Sequence, residues 1–320
     1  MALTMNTPAK PNRIPLIDLL RGFALVAMTI YHFTWDLEFF GYLVPATINE
    51  PGWVAFARAI ATSFLALAGV SLVLAHGDGI KWRGFWKREA MVAGAALAIT
   101  IVTYFAFPES YIFFGILHAI ALFSLLGLAF LRLPWWAVGL AALAIFAIDQ
   151  FVALPIFGHW TLLWVGLSPQ LPLSNDYVPL FPWFSATLAG MAFAKLAQKR
   201  DWWSKLATVS VPNLLDRPLG FLGRHSLAYY LIHQPVLLAL LWTFQAVTGP
   251  PDRTDAFLAI CKKQCSITES VEFCGNYCSC LAEELNKVNL LDNFFTGQMS
   301  TTDGQLVDGV KAQCVAKLRR

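Results

Sequence analysis

The sequence predicts an all-α polytopic membrane protein of about seven transmembrane helices, followed by a small disulfide-stapled helical tail. Three observations predict it. Of the 320 residues, 57% are hydrophobic and only 13% charged, with a mean hydropathy of +0.57, outside the range of soluble chains. Seven apolar runs approach the roughly 20 residues that a helix needs to cross hydrocarbon. All six cysteines follow residue 260, where those runs have ended. The chain therefore divides into a membrane domain, 1–249, and a Cys-rich extracytoplasmic tail, 250–320.

The runs lie near 14–35, 52–75, 89–107, 111–131, 134–152, 179–197 and 221–247. Helices are expected, because each run must satisfy its own backbone in lipid and no barrel-like alternation is present. The stretch "DWWSKLATVSV" (201–211) reads as an interfacial helix. Loop 153–178 is apolar and Trp-rich and is expected to fold back onto the helices.

Positive charge sets the orientation. Lys10 and Arg13 precede the first span. Lys81, Arg83, Lys87 and Arg88 fill the second connection, Arg132 the fourth, and Lys199, Arg200, Lys205 and Arg217 the sixth. Segments 36–51, 108–110 and 153–178 carry no Lys or Arg. The N-terminus is thus expected in the cytoplasm and the tail outside. The net charge of +3 is too small to suggest a nucleic-acid partner. Membrane lipids are expected partners, and an oligomer is compatible with the sequence.

In the tail, "CKKQC" and "CGNYC" put Cys261/Cys265 and Cys274/Cys278 at i, i+4 on single helical faces. Two such helices placed back to back would be stapled by Cys261–Cys278 and Cys265–Cys274, leaving Cys280 and Cys314 to tie in a third. A four-thiolate zinc site is the competing reading. The oxidising compartment implied by the charge bias favours disulfides.

Ionisable groups inside spans are costly and are default site candidates. In the first span, Arg21 and His32 project within about 20° of each other at 100° per residue, about 16 Å apart along the axis. Leu25 and Met28 lie on the same stripe, with Asp18 and Asp36 offset to one side of it. His118 in the fourth span and Asp149 at the end of the fifth are expected at the depth of His32. In the seventh, Ser226, Tyr229/Tyr230 and His233 share a face, and Pro235 frees a carbonyl. Each group also has a plain structural reading. Asp18–Arg21 is a headgroup pair, His32 and His118 are packed imidazoles, Asp36 is a cap, and Arg224 and His225 are anchors. No metal signature is present, since His32 and His118 lie on separate helices with no thiolate nearby.

The stretches "RIPLIDLLRGFALVAMTIYHFTWDLEFFG", "FFGILHAIALFSLLG", "DYVPLFPWFSATLAGM" and "LGRHSLAYYLIHQPVL", in this order, resemble bacterial membrane proteins related to heparan-alpha-glucosaminide N-acetyltransferase. The likeness covers about 13–245. It implies acetyl transfer from cytoplasmic acetyl-CoA to a sugar amine or hydroxyl of a glycan or sugar acceptor on the outer side of a bacterial inner membrane, without a metal. It implies that Arg21, Arg224 and His233 serve the donor, that His32 acts as general base or transient acyl carrier, that Asp36 orients it, and that His118 is a second acid/base. The family's loop histidine has no counterpart here, where the loop reads "GYLVPATINEPGW". A small-solute transporter or flippase and a non-catalytic scaffold are the alternatives from other classes.

Overall fold

The computed structural model describes residues 14–77, 79–207, 213–288, 290–291 and 300–318. Lys10, Arg13 and the end of the expected interfacial stretch, 208–211, lie outside these. Twelve α-helices occur among the described residues. Seven are the apolar ones: α1 (Pro15–Phe39), α2 (Pro51–His76), α3 (Trp82–Ala106), α4 (Ile116–Gly127), α5 (Trp135–Phe151), α6 (Leu180–Lys199) and, after the short α7 (Trp202–Ala207) and α8 (Asn213–Arg224), α9 (Ser226–Thr248). The tail follows as α10 (Thr254–Cys265), α11 (Val271–Lys287) and α12 (Thr301–Leu318). The chain is a helical membrane protein.

Five of these helices, α1, α2, α3, α6 and α9, are long and apolar enough to cross a membrane. The other two apolar helices, Ile116–Phe130 and Trp135–Phe151, are shorter. Ile116–Phe130 rises about 22 Å, less than a hydrocarbon core of about 30 Å. The run expected over 111–131 is shortened because 111–115 is extended. The run expected over 221–247 is broken at His225, which separates α8 from α9.

The helices sort into two compact units. The first comprises Met1–Met28 and Ala57–Ile232. Here α5 packs on α6, α3 on α4, and α4 on α6. Leu65, Val73, Phe123, Val138, Leu188 and Met191 form its buried centre. Lipid tails are as apolar as these side chains, so close packing, not exclusion of water, must hold such helices together. Two glycines supply the closeness. A methyl added at Gly69 would overlap the Thr187 carbonyl oxygen, and one at Gly190 would overlap that of Ala66. The backbones of α2 and α6 therefore meet at a distance only glycine permits.

In the same unit, residues 174–178 fold back as expected. The Asn175 and Val178 amides donate to Ser110 O (2.9 Å) and Phe114 O (3.0 Å), and the Tyr177 hydroxyl donates to Leu163 O (2.6 Å). Trp160, Leu171 and Leu173 of that loop stay exposed.

The second unit comprises Thr29–Phe56 and His233–Arg320. Glu38 organises its first connection: Oε1 accepts from the Ala46 amide (2.8 Å) and Oε2 from the Ile48 amide (3.0 Å). In the tail, Phe257, Leu281, Leu285, Val307 and Val310 form a small core. Cys261–Cys278, Cys265–Cys274 and Cys280–Cys314 are the three disulfides, with Cα separations of 5.7, 5.7 and 5.9 Å. This is the predicted pairing, and it leaves no cysteine for a thiolate zinc site. A core this small gains most from staples.

Candidate functional site

The parts of α1 and α9 that belong to the second unit meet in a polar cluster. The helix α1 presents His32 and Asp36 at i, i+4, so both lie on one face. The helix α9 presents His233 and Gln234 immediately before Pro235. Gln234 Oε1 lies 2.8 Å from His32 Nδ1. An amide oxygen only accepts, so His32 Nδ1 carries the proton and donates. The Gln234 Nε2 donates to Asp36 Oδ1. This fixes the imidazole tautomer and leaves the lone pair on Nε2, the state a general base requires. The His233 ring stands edge-on to His32, 4.9 Å between centroids. Asp36 is completely buried, and its Oδ2 has no hydrogen-bond partner among the described residues.

The first unit holds a separate cavity of about 240 Å³. Leu25, Phe64, Met91 and Ile120 supply apolar walls, and Arg21, Arg88, Ser226 and Tyr230 are its polar members. Arg21 pairs with Asp18 at 3.4 Å and donates to Ser71 Oγ, and Arg88 donates to Ser124 Oγ at 3.5 Å. Two guanidiniums against an apolar wall suit an anion carried on a thin apolar chain. The volume is below the ~300 Å³ at which sites for drug-sized ligands begin, so it does not hold a whole nucleotide.

Behind this cavity, Tyr230 hydrogen-bonds to Asp176, whose Oδ2 also accepts from the Ile116 amide at 2.8 Å. Asp176 thereby satisfies the first turn of α4, whose N-terminal amides have no helical partner. Burial raises the Asp176 carboxyl from 3.8 to about 6, against the opposing pull of the Ile116 amide and the Tyr230 hydroxyl. Gly115 leaves room for it, since a Cβ there would strike the carboxylate.

The structure thus brings His32, Asp36 and His233 together and puts Arg21 on a cavity wall. Of the other residues read from the sequence, Arg224 is exposed and does not line that cavity. His118 is engaged locally: its Nδ1 accepts from the Gly115 amide (3.2 Å) and its Nε2 lies 3.1 Å from Thr100 Oγ1. Two residues were missed. Gln234 escaped because only ionisable groups were counted, although an amide beside a proline in an apolar span is itself an expensive placement. Arg88 escaped because it was assigned to a connecting loop.

A family model described as heparan-alpha-glucosaminide N-acetyltransferase, catalytic, matches residues 13–235. The chain belongs to this family. No curated protein and no solved structure matches it. A heparan-alpha-glucosaminide N-acetyltransferase catalytic domain makes this a membrane acyltransferase. The family segment contains Arg21, Arg88, Asp176 and the whole His32–Gln234–Asp36 chain, and it ends one residue beyond Gln234. The disulfide-stapled tail of this family member lies outside it.

Proposed function

We propose that the protein transfers an acetyl group from acetyl-CoA to a sugar amine or hydroxyl, with the donor taken from the cytoplasm and the acceptor on the outer side of a bacterial inner membrane. The observation that carries this is the His32–Gln234–Asp36 chain inside the family segment. Bound acetyl-CoA supplies an activated thioester carbonyl. In the first unit, Arg21 and Arg88 are the cations suited to anionic oxygens of the donor. His32 Nε2 removes the proton from the attacking amine or hydroxyl as that group bonds to the carbonyl carbon. Gln234 holds the imidazole in the tautomer that permits this, and Asp36 holds Gln234. His32 then returns the proton to the departing sulfur, which leaves the base ready for another cycle. His118, bonded to Thr100 and Gly115, acts as a positioning residue for the start of α4.

The test is acetyl transfer from radiolabelled acetyl-CoA by protein purified into nanodiscs. His32→Ala should lose about 10²–10⁴ of the rate, the worth of a positioned base, while keeping its thermal stability. Full activity in that variant would overturn the assignment.

A further inference from the structure

The first two turns of α3 carry an arrangement that the chemistry above does not use. With 25 residues the helix is about 37 Å long, more than a hydrocarbon core of about 30 Å, so an end of it reaches headgroup level. That end is marked by charge. Arg83, Lys87, Arg88 and Glu89 are its charged residues, and from Ala90 to Ala106 there are none.

Phe85, Val92, Ala95 and Ala96 are buried and define the side of α3 that faces the protein. At 100° per residue, Trp82 and Trp86 fall on one line of the remaining surface, and Arg83 and Lys87 on a second line about 100° from the first. All four are exposed. Both indoles meet the buried Phe85 ring edge-on, with centroids 6.4 and 5.4 Å apart, so each is braced from the protein side while 53% and 52% of its surface stays outside. Arg83 and Lys87 make no ion pair or hydrogen bond among the described residues. Glu89 lies more than 100° around the helix from both.

Folding gives no reason for this placement. Like charges one turn apart repel, and cations are disfavoured at a helix N-terminus. Topology asks for cations somewhere in the connection, not for two on one line beside two tryptophans. Further along α3 the same surface continues as Leu97, Ile101 and Phe105, exposed and apolar, the kind of face that lipid tails cover.

We infer that this end of α3 is a binding site for an anionic phospholipid, with Arg83 and Lys87 on the phosphate, Trp82 and Trp86 at the glycerol level, and the acyl chains along Leu97 and Ile101. A guanidinium and an ammonium one turn apart can share the oxygens of one phosphate. A zwitterionic lipid offers the same phosphate but brings an ammonium that the pair repels, so the site selects a headgroup of net negative charge. The inference is independent of the acyl-transfer reading.

The test is native mass spectrometry of the full chain in detergent, titrated with phosphatidylglycerol or with phosphatidylcholine of the same acyl chains. Phosphatidylglycerol should bind about thirtyfold more tightly, roughly a factor of five for each cation. Arg83→Gln should leave about a fivefold preference, and Arg83→Gln with Lys87→Gln should leave none. Lys262→Gln with Lys263→Gln, which removes the same charge from the tail, should leave the preference whole. The swap Arg83→Lys with Lys87→Arg should keep it, and Trp82→Ala with Trp86→Ala should weaken both lipids. Equal binding of the two lipids by the wild type, a preference that survives the double Gln variant, or one lost in the tail variant or the swap would overturn the inference. So would unchanged affinity for both lipids in the tryptophan variant, displacement of the lipid by millimolar inorganic phosphate, or a dimer that only the double Gln variant releases.

Discussion

His32 and Asp36, one turn apart on α1, are joined through a third side chain: Gln234 accepts from the imidazole and donates to the carboxylate. An amide can bridge in this way because it offers both an acceptor and a donor at fixed spacing. The consequence is testable. Gln234→Leu should lower kcat about 10²-fold, by releasing the tautomer, with KM for acetyl-CoA nearly unchanged. Gln234→Glu should perturb the pH profile, since a carboxylate there cannot donate to Asp36. A Gln234→Leu enzyme with normal kcat would remove the amide from the mechanism.

The guanidiniums of the first unit should behave differently. Arg88→Leu should raise KM for acetyl-CoA about tenfold, the order expected for one charge-assisted contact, and leave kcat within a few-fold. Steady-state kinetics across donor concentration separates this from a loss of chemistry.

Asp176 gives a pH signature in stability. Its folded carboxyl lies at about 6 against an ordinary 3.8, so between these values the folded state binds more protons than the unfolded one. The stability it contributes is complete below about pH 4 and is lost as pH rises through about 6. The two-unit shift corresponds to a few kcal/mol at most. Thermal unfolding in detergent from pH 3.5 to 7 should show this fall in the wild type and a flatter course in Asp176→Asn, whose carboxamide oxygen can still accept from the Ile116 amide. Parallel curves would mean that burial does not tune this group.

The close crossing of α2 and α6 predicts a steric result. Gly190→Ala should destabilise by about 1–3 kcal/mol, the cost of overpacking a tight contact, because the added methyl meets the Ala66 carbonyl oxygen. Gly94→Ala, where nothing lies within reach of a Cβ, should be neutral or slightly stabilising by helix propensity. Melting temperatures of the two variants decide between them.

The three disulfides enclose sequence separations of 17, 9 and 34 residues. In the chain-entropy picture the Cys280–Cys314 bridge stabilises most, by about 4 kcal/mol, and the other two by about 3 kcal/mol each. Non-reducing peptide mapping should recover all three. Cys280→Ser with Cys314→Ser should loosen the tail more, as read by proteolysis, than Cys265→Ser with Cys274→Ser.

Much of this was legible beforehand, for identifiable reasons. Apolar run length located all seven apolar helices, because lipid leaves a spanning backbone little choice. The i, i+4 cysteine spacing yielded the correct pairs because two short helices back to back admit that staple directly. What was hidden depended on contacts distant in sequence. Arg88 looked like a connecting charge until α3 was seen to begin at Trp82. Gln234 carries no charge and meets its partners on α1 198 and 202 residues away, a separation that no local pattern encodes. His118 stood out by being ionisable, yet its nitrogens are spent on Thr100 and Gly115. The shortness of α4 was also invisible, since 111–115 is as apolar as the helix it precedes.

That long separation bears on biogenesis. A ribosome that has just delivered His32 must add some 200 further residues before the glutamine that sets its proton emerges. On the proposed mechanism the nascent protein is therefore inert until 234 of its 320 residues have been made. Any product that stops short of the last apolar helix would reach the bilayer with Arg21 and Arg88 in place but without the amide that orients His32, so on the same mechanism a stalled or clipped chain could not waste acyl donor.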